Sequence, residues 1–343
     1  MAVQLNVGVI GLGRIGLVHA ANLVGRVPGA RLVAACDADT SARARAASDF
    51  AAPILDDPER LLADAAIDAV VIATPARTHA GLIAAAARAG KAIFAEKPVA
   101  LTEAETDAAL GAVIVAGVPF QIGFQRRWDA AYLAAHRQIE DGVIGTPVLF
   151  RASGRDPAPA ALTYHDPANS GGIFLDAAIH DFDAARFLMG REVTRVSAHG
   201  ACLVHHDLAA VNDIDTCVSV LSFDGGGMGV TEWNRFAGYG EEIAAEVQGS
   251  LGTLRIGGLL QAPLLTIADG RASRILTAGF GQRFAQAFCD ELCAFVAALR
   301  AGQALTPDAE DARWALRIAL AARASFTSGA PVEVAPVESL LAQ

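Results

Sequence analysis

The chain of 343 residues lacks the features that mark several common classes of protein. Basic residues are in deficit, 27 against 37 acidic ones for a net charge of -10. No segment gathers a basic patch, so neither nucleic acid nor an anionic membrane surface is expected as a partner. Cysteines are few and odd in number: Cys36, Cys202, Cys217, Cys289 and Cys293 lie scattered, mostly in apolar runs. They read as reduced core thiols of a cytoplasmic protein rather than a disulfide framework. Cys289 and Cys293 are one helical turn apart, but no Cys-x-x-Cys or histidine pair accompanies them, and His205-His206-Asp207 reads as a solvated loop; no metal is expected. No run of about 18 apolar residues goes uninterrupted by glycine or charge, and no basic leader precedes the N-terminal apolar run. The sequence therefore predicts neither a membrane span nor a secretory signal. What it does have is a core, with 53% hydrophobic and only 19% charged residues, at a length that suits two domains.

The stretch from Leu5 to Leu17 organises the rest. Val7, Val9 and Ile10 form a short apolar run bounded by glycines, which suits a strand buried on both faces of a parallel sheet. The run leads into Gly-x-Gly-x-x-Gly. Gly11 allows a tight strand-to-helix turn, Gly13 lets the backbone approach a pyrophosphate, and Gly16 lets the next helix pack closely on the strand. A second apolar strand, residues 31–36, ends in Asp37, where a carboxylate meets a ribose hydroxyl pair. Together these elements point to a dinucleotide site, and the carboxylate favours NAD because it repels the 2′-phosphate of NADP.

Strand and helix alternate to about residue 123, the pattern of a doubly wound parallel sheet. The strand at 69–73 ends in Thr74-Pro75-Ala76-Arg77-Thr78-His79, and the strand at 91–95 ends in Glu96-Lys97-Pro98. Both exits lie on the carboxyl edge, where open α/β sheets bind ligands. A helix over 80–89 is stopped by Gly90, and another runs from Thr102, with Glu105 completing a capping box, to Gly117. A helix over 128–140, a strand over 146–152 and a helix that follows Gly171-Gly172 and ends at Gly190 come next. A succession of strands between 193 and 268 then implies an antiparallel sheet, and helices at 284–299 and 309–326 close the chain. The fold is accordingly α/β. Residues 1–123 form a Rossmann domain, and residues 124–343 form an α/β domain for substrate binding and oligomerisation on a large open, mainly antiparallel sheet. The last helix packs back toward the first domain.

Two groups of residues carry candidate chemistry. Lys97 leaves a strand on the ligand edge, where a partly desolvated lysine can take part in proton transfer; the plain alternative is a strand-end surface lysine. Asp176 and His180 are four apart and share one helical face, with Asp183 a further turn along. Asp176 can hydrogen-bond substrate hydroxyls while His180 accepts the proton of an alcohol being oxidised, the alternative being a capping carboxylate and a surface histidine. Arg126 and Arg127 read as structural or rim residues.

With the glycine turn, Thr74-Pro75 with Thr78-His79-Ala80, Ala95-Glu-Lys-Pro-Val-Ala-Leu-Thr102, Gly123-Phe-Gln-Arg-Arg-Trp-Asp129 and Ser170-Gly-Gly-Ile-Phe-Leu-Asp-Ala-Ala-Ile-His-Asp-Phe-Asp183, the chain resembles the Gfo/Idh/MocA oxidoreductases over nearly its whole length. Within that family the pattern is nearest to the inositol 2-dehydrogenases, Arg155-Asp-Pro-Ala-Pro159 and Gly238-Tyr-Gly-Glu-Glu242 included. The resemblance implies an NAD-dependent dehydrogenase of a cyclic polyol, with Lys97, Asp176 and His180 as the catalytic trio and a cis Lys97-Pro98 bond. It implies cofactor contacts from Gly11, Gly13, Arg14, Ile15, Gly16, Asp37, Thr74, Pro75, His79, Glu96 and Lys97. Substrate contacts are implied for Lys97, Arg127, Asp156, Asp176, His180, Asn234 and Tyr239, and a homodimer or homotetramer through the open sheet. Ala160-Ala161 and Thr231-Glu232-Trp233-Asn234 depart from the pattern beside the pocket. Trp233 could stack on a pyranose there, which keeps an aldose dehydrogenase as an alternative. A lyase or glycosidase using NAD transiently and a non-catalytic sensor on the same fold are further alternatives.

Overall fold

The computed structural model describes residues 4–258, 261–269, 271–276 and 278–337. The chain divides into two compact units. One takes the residues up to Trp128 together with 286–316, and the other takes Asp129–Ala285 together with 317–336.

In the first unit six parallel strands, β1 (Leu5–Ile10), β2 (Ala30–Cys36), β3 (Ile54–Leu55), β4 (Ala69–Ile72), β5 (Ala92–Glu96) and β6 (Phe120–Gly123), lie in the order β3-β2-β1-β4-β5-β6. This is the doubly wound order, with its switch between β1 and β4. β4 and β5 are buried at every residue, as strands covered on both faces must be. The connecting helices are α1 (Arg14–Leu23), α2 (Thr40–Asp49), α3 (Pro58–Ala63), α4 (His79–Arg88) and α5 (Glu103–Ala116). Local chemistry sets their ends. The Thr102 hydroxyl accepts from the Glu105 N–H and donates to its carboxylate, and Gly117 closes α5 in the left-handed region at φ 63°.

The second unit begins with α6 (Ala130–Glu140), whose N-cap is Asp129, and β7 (Pro147–Arg155). Two single-turn helices, α7 (Leu162–His165) and α8 (Pro167–Ser170), precede a π-helical turn, Phe174–Ala178, that runs directly into α9 (Ile179–Met189). Strands β8 (Val193–Ala201), β9 (Thr216–Phe223), β10 (Met228–Asn234), β11 (Glu242–Gly249) and β12 (Thr253–Gly258) follow. A separate hairpin joins β13 (Gln261–Ala268) to β14 (Arg271–Leu276), and α10 (Phe280–Arg283) leads to α11 (Ala285–Ala301), α12 (Ala309–Ser328) and β15 (Val332–Glu333). The main sheet has the order β12-β11-β7-β10-β9-β8-β15, and every pairing in it is antiparallel except β7 with β10.

Burial along these strands alternates. Phe150, Ala152, Thr231, Trp233, Cys217 and Leu221 are buried, while Arg151, Val218, Val220 and Met228 are exposed. α9 supplies partners to the buried face: Asp181 accepts the indole N–H of Trp233. The first unit also holds α11, whose Cys289, Leu292, Phe295 and Val296 enter the core beneath β1, β4 and β5.

Candidate active site

The glycine turn closes on the switch point. Gly11 sits at φ +97°, and a Cβ there would lie 2.6 Å from the Ala73 carbonyl at the end of β4. A Cβ at Gly16 would overlap the Gly11 carbonyl oxygen, so α1 can approach β1 only without a side chain. At Gly13, by contrast, a Cβ would meet nothing within 4 Å, and this residue caps α1 with no side-chain hydrogen bond. An open, uncapped helix N-terminus fits a dinucleotide pyrophosphate. Asp37 lies beside it: its Oδ2 accepts the Leu12 N–H at 2.6 Å and its Oδ1 the Asp39 N–H at 2.8 Å. The carboxylate is thereby held against the turn, with Arg14 and Ile15 opening the helix next to it.

The exits of β4 and β5 are tied together. The Thr74 and Thr78 hydroxyls are 2.7 Å apart, and Thr78 also donates to the Pro75 carbonyl. His79 is 1% exposed, with Nδ1 2.7 Å from the Pro98 carbonyl oxygen and Nε2 2.7 Å from that of Thr74. Burial pushes the pKa of this imidazole down, while the two carbonyls and Glu96 oppose the shift. His79 is thus a brace between two loops, and a ring this buried has no edge left for a cofactor. Glu96 likewise turns its carboxylate inward, 2.8 Å from His19 Nε2. Lys97 is half-buried at the exit of β5, and its bond to Pro98 is cis. The chain has only two lysines. The other, Lys91, is buried and donates to the Asp64 and Ile67 carbonyls.

In the second unit Gly171 and Gly172 both have positive φ, and a Cβ at Gly171 would lie 2.6 Å from the Cβ of Leu175. This tight entry starts the π-helical turn that carries Asp176. From Gly171 to Arg186 every residue is buried except Asp176 and His180. Asp176 accepts the Tyr164 hydroxyl at 3.0 Å and lies 3.7 Å from Nη2 of Arg235. Arg235 is 1% exposed and also bonds Asp213, whose other oxygen accepts the Ile173 N–H at 3.0 Å. Tyr164, Arg235 and Asp213 carry no spacing signal that ties them to Asp176. Their closeness comes from the tertiary fold.

The remaining expected substrate residues are placed unevenly. Asp156 and Asn234 meet at the end of the parallel pair, the Asp156 N–H donating to the Asn234 carbonyl at 2.9 Å. Tyr239 is exposed, and its hydroxyl donates to Glu242 at 2.9 Å. Arg127 makes a two-pronged bond to Asp311 at 2.8 and 3.0 Å in the first unit, the geometry of a structural clamp rather than of a substrate contact. Trp233 is 5% exposed, with its ring packed over Gly154 and its N–H on Asp181. It is a core residue and cannot stack on a sugar, so the expectation of a pyranose platform fails on burial.

Comparison with known proteins agrees with this geometry. Residues 5–124 match the oxidoreductase family with an NAD-binding Rossmann fold, and residues 132–255 match the GFO/IDH/MocA C-terminal domain. The chain is 39% identical to scyllo-inositol 2-dehydrogenase (NAD(+)) of Bacillus subtilis over 96% of each chain. It is 37% identical to myo-inositol 2-dehydrogenase of Thermotoga maritima, over 97% of this chain and 99% of that one. The crystal structure of scyllo-inositol dehydrogenase from Lactobacillus casei with bound NAD(H) and scyllo-inositol superposes with a TM-score of 0.91 at 30% identity, covering 97% of this chain and 100% of that one. The chain belongs to the Gfo/Idh/MocA family of NAD-dependent oxidoreductases.

Proposed function

We propose that this protein oxidises one secondary hydroxyl of a cyclic polyol, myo-inositol or scyllo-inositol, to the ketone with NAD. The observation that carries the reading is the exposure pattern of the π-turn and α9: one carboxylate and one imidazole emerge from an otherwise buried helical run. Two relatives that match the chain over nearly its whole length are dehydrogenases of inositols by name.

In this reading His180 takes the proton of the hydroxyl being oxidised, since imidazole titrates close to neutral pH. Asp176, oriented by Tyr164 and Arg235, accepts hydrogen bonds from substrate hydroxyls. Lys97 is assigned to assist the proton's removal. Bound NAD supplies the hydride acceptor. The glycine turn, Thr74 and Pro75 hold that cofactor, with Asp37 at its adenosine ribose. Asp156, Asn234 and Tyr239 are assigned to substrate hydroxyls farther from the reacting carbon. The open face of the main sheet is assigned to self-association, and the five free thiols suit a cytoplasmic setting.

The test is direct. Purified protein with NAD should produce NADH with myo-inositol or scyllo-inositol and none with simple alcohols, because a site built to pair hydroxyls rejects analogues that leave its polar groups unpaired. NADH from a pyranose sugar, with every cyclitol inert, would sink the inositol reading and leave the family standing.

A further inference from the structure

Behind the exit of β5 lies a group of titratable side chains that the proposed mechanism does not use. His19 from α1, Glu96 from β5 and Glu291 from α11 offer ligand atoms that all lie within 4.8 Å of one another. His19 and Glu291 are fully buried and Glu96 nearly so. The His19 ring is closed in by the edges of Phe94 and Phe288, at 5.3 and 5.9 Å between centroids. Gly123 makes room for the Glu96 carboxyl, which would sit 3.2 Å from any Cβ there. Neither carboxyl oxygen of Glu291 has a hydrogen-bond partner, nor does Nδ1 of His19.

Two carboxylates and one imidazole in an apolar enclosure do not balance. A buried carboxylate with no hydrogen bond and no cation costs several kcal/mol, so such groups take up a proton or a metal ion. The pair His19 Nε2 and Glu96 Oε1, at 2.8 Å, already has the separation of a hydrogen bond. That leaves Glu291, whose pKa is pushed well above the carboxylate range by burial first and by Glu96 second. Among the described residues Glu96 is the charged group that acts on it, and His19 of α1 and Glu96 of β5 are the titratable groups within reach of its carboxyl.

We propose that His19, Glu96 and Glu291 form a buried proton-sharing triad in which Glu291 is the neutral acid, and that the triad fixes the strand end from which Lys97 leaves. Glu291 is then a positioning residue that acts through Glu96. The positioning role rests on the dehydrogenase reading, whereas the neutral acid does not, and the two can be tested apart.

The first test needs no activity. An acid that keeps its proton in the folded state while the unfolded chain loses it makes folding take up one proton. Stability then falls as pH rises from about 4.5, the unfolded value, toward the raised folded value. Glu291→Gln, an isostere of the neutral acid, should flatten the fall of melting temperature between about pH 5 and pH 8 by the slope of one proton. Parallel curves for the two proteins would overturn the proposal. So would a tightly bound divalent metal, at one per chain in wild type and absent from Glu291→Gln.

The second test reads position. Glu291→Leu should lower kcat about ten- to a hundredfold with the KM for NAD unchanged, the scale for a catalytic group displaced by about 1 Å, and Glu291→Gln should restore it. Equal loss in both variants, or a loss confined to KM, would overturn the positioning role. If wild type has no dehydrogenase activity while the stability slopes still differ, the functional reading fails and the neutral acid stands.

Discussion

Lys97 is the residue on which the catalytic assignment can be tested most sharply. All other basic residues in the chain are arginines except Lys91, which is buried in a structural role. A plain strand-end cation could equally be arginine, whereas arginine cannot give up its proton under working conditions. Lys97→Met should therefore lower turnover by about two to four orders of magnitude with NAD binding nearly intact, and Lys97→Arg should not rescue it. Isothermal titration with NAD, run beside steady-state assays, separates the two effects; near-normal turnover in either variant would return Lys97 to a structural role. Asp37 is tested by specificity. Its carboxylate already accepts two backbone N–H groups and so has a fixed direction. Asp37→Ala should narrow the preference for NAD over NADP, measured as the ratio of kcat/KM values, and faster turnover of NADP by the wild type would contradict the assignment.

Among the elements, the glycine turn is the most exacting. Gly16→Ala places a methyl group in the Gly11 carbonyl, so α1 must move off β1. NAD binding should weaken at least about tenfold, and the protein should lose about 1–3 kcal/mol in denaturant unfolding, the range for overpacking a tight contact. Unchanged NAD affinity would show that the turn tolerates a Cβ and that its glycines serve folding alone. This turn was legible in the sequence because its determinants are local: an apolar run, three spaced glycines and a following acid. The same holds for the capping box at Thr102 and for Gly117. What escaped the sequence depends on distant partners. Arg127 answers to Asp311 and Glu291 to Glu96 and His19, on elements far apart in the chain. Trp233 is buried because Gly154 lies opposite it on a parallel neighbour. Asp176 and His180 are the two partly exposed residues of 171–186, and the π-turn that carries Asp176 leaves no mark in a four-residue spacing. The two-residue strand β15 and the single-turn helices α7 and α8 have too few residues for a period to show.

Over the whole molecule, one broad surface has no covering element in its own unit among the described residues. Helix α9 lies on one face of the seven-stranded sheet, where Asp181 meets Trp233, and the other face presents Val218 and Val220 of β9 and Met228 of β10, exposed by 39%, 44% and 59%. The register sets Val230 beside Val220, so Val220, Val230 and Met228 form an apolar strip across two strands, which ends where Glu232 stands beside Val218. Contiguous exposed apolar surface on a sheet marks an interaction site more often than a solvated one. If this face joins copies of the chain, Val220→Asp should bury an unpaired charge in the assembly while leaving the isolated fold nearly untouched. Sedimentation velocity should show wild type as a dimer or tetramer and the variant shifted toward monomer, with unchanged circular dichroism. The glycine turn and Asp37 belong to the other unit, so the variant should still bind NAD; loss of binding would mean misfolding. A wild-type protein that sediments as a monomer at micromolar concentration would remove self-association from the assigned properties and leave this face for another partner.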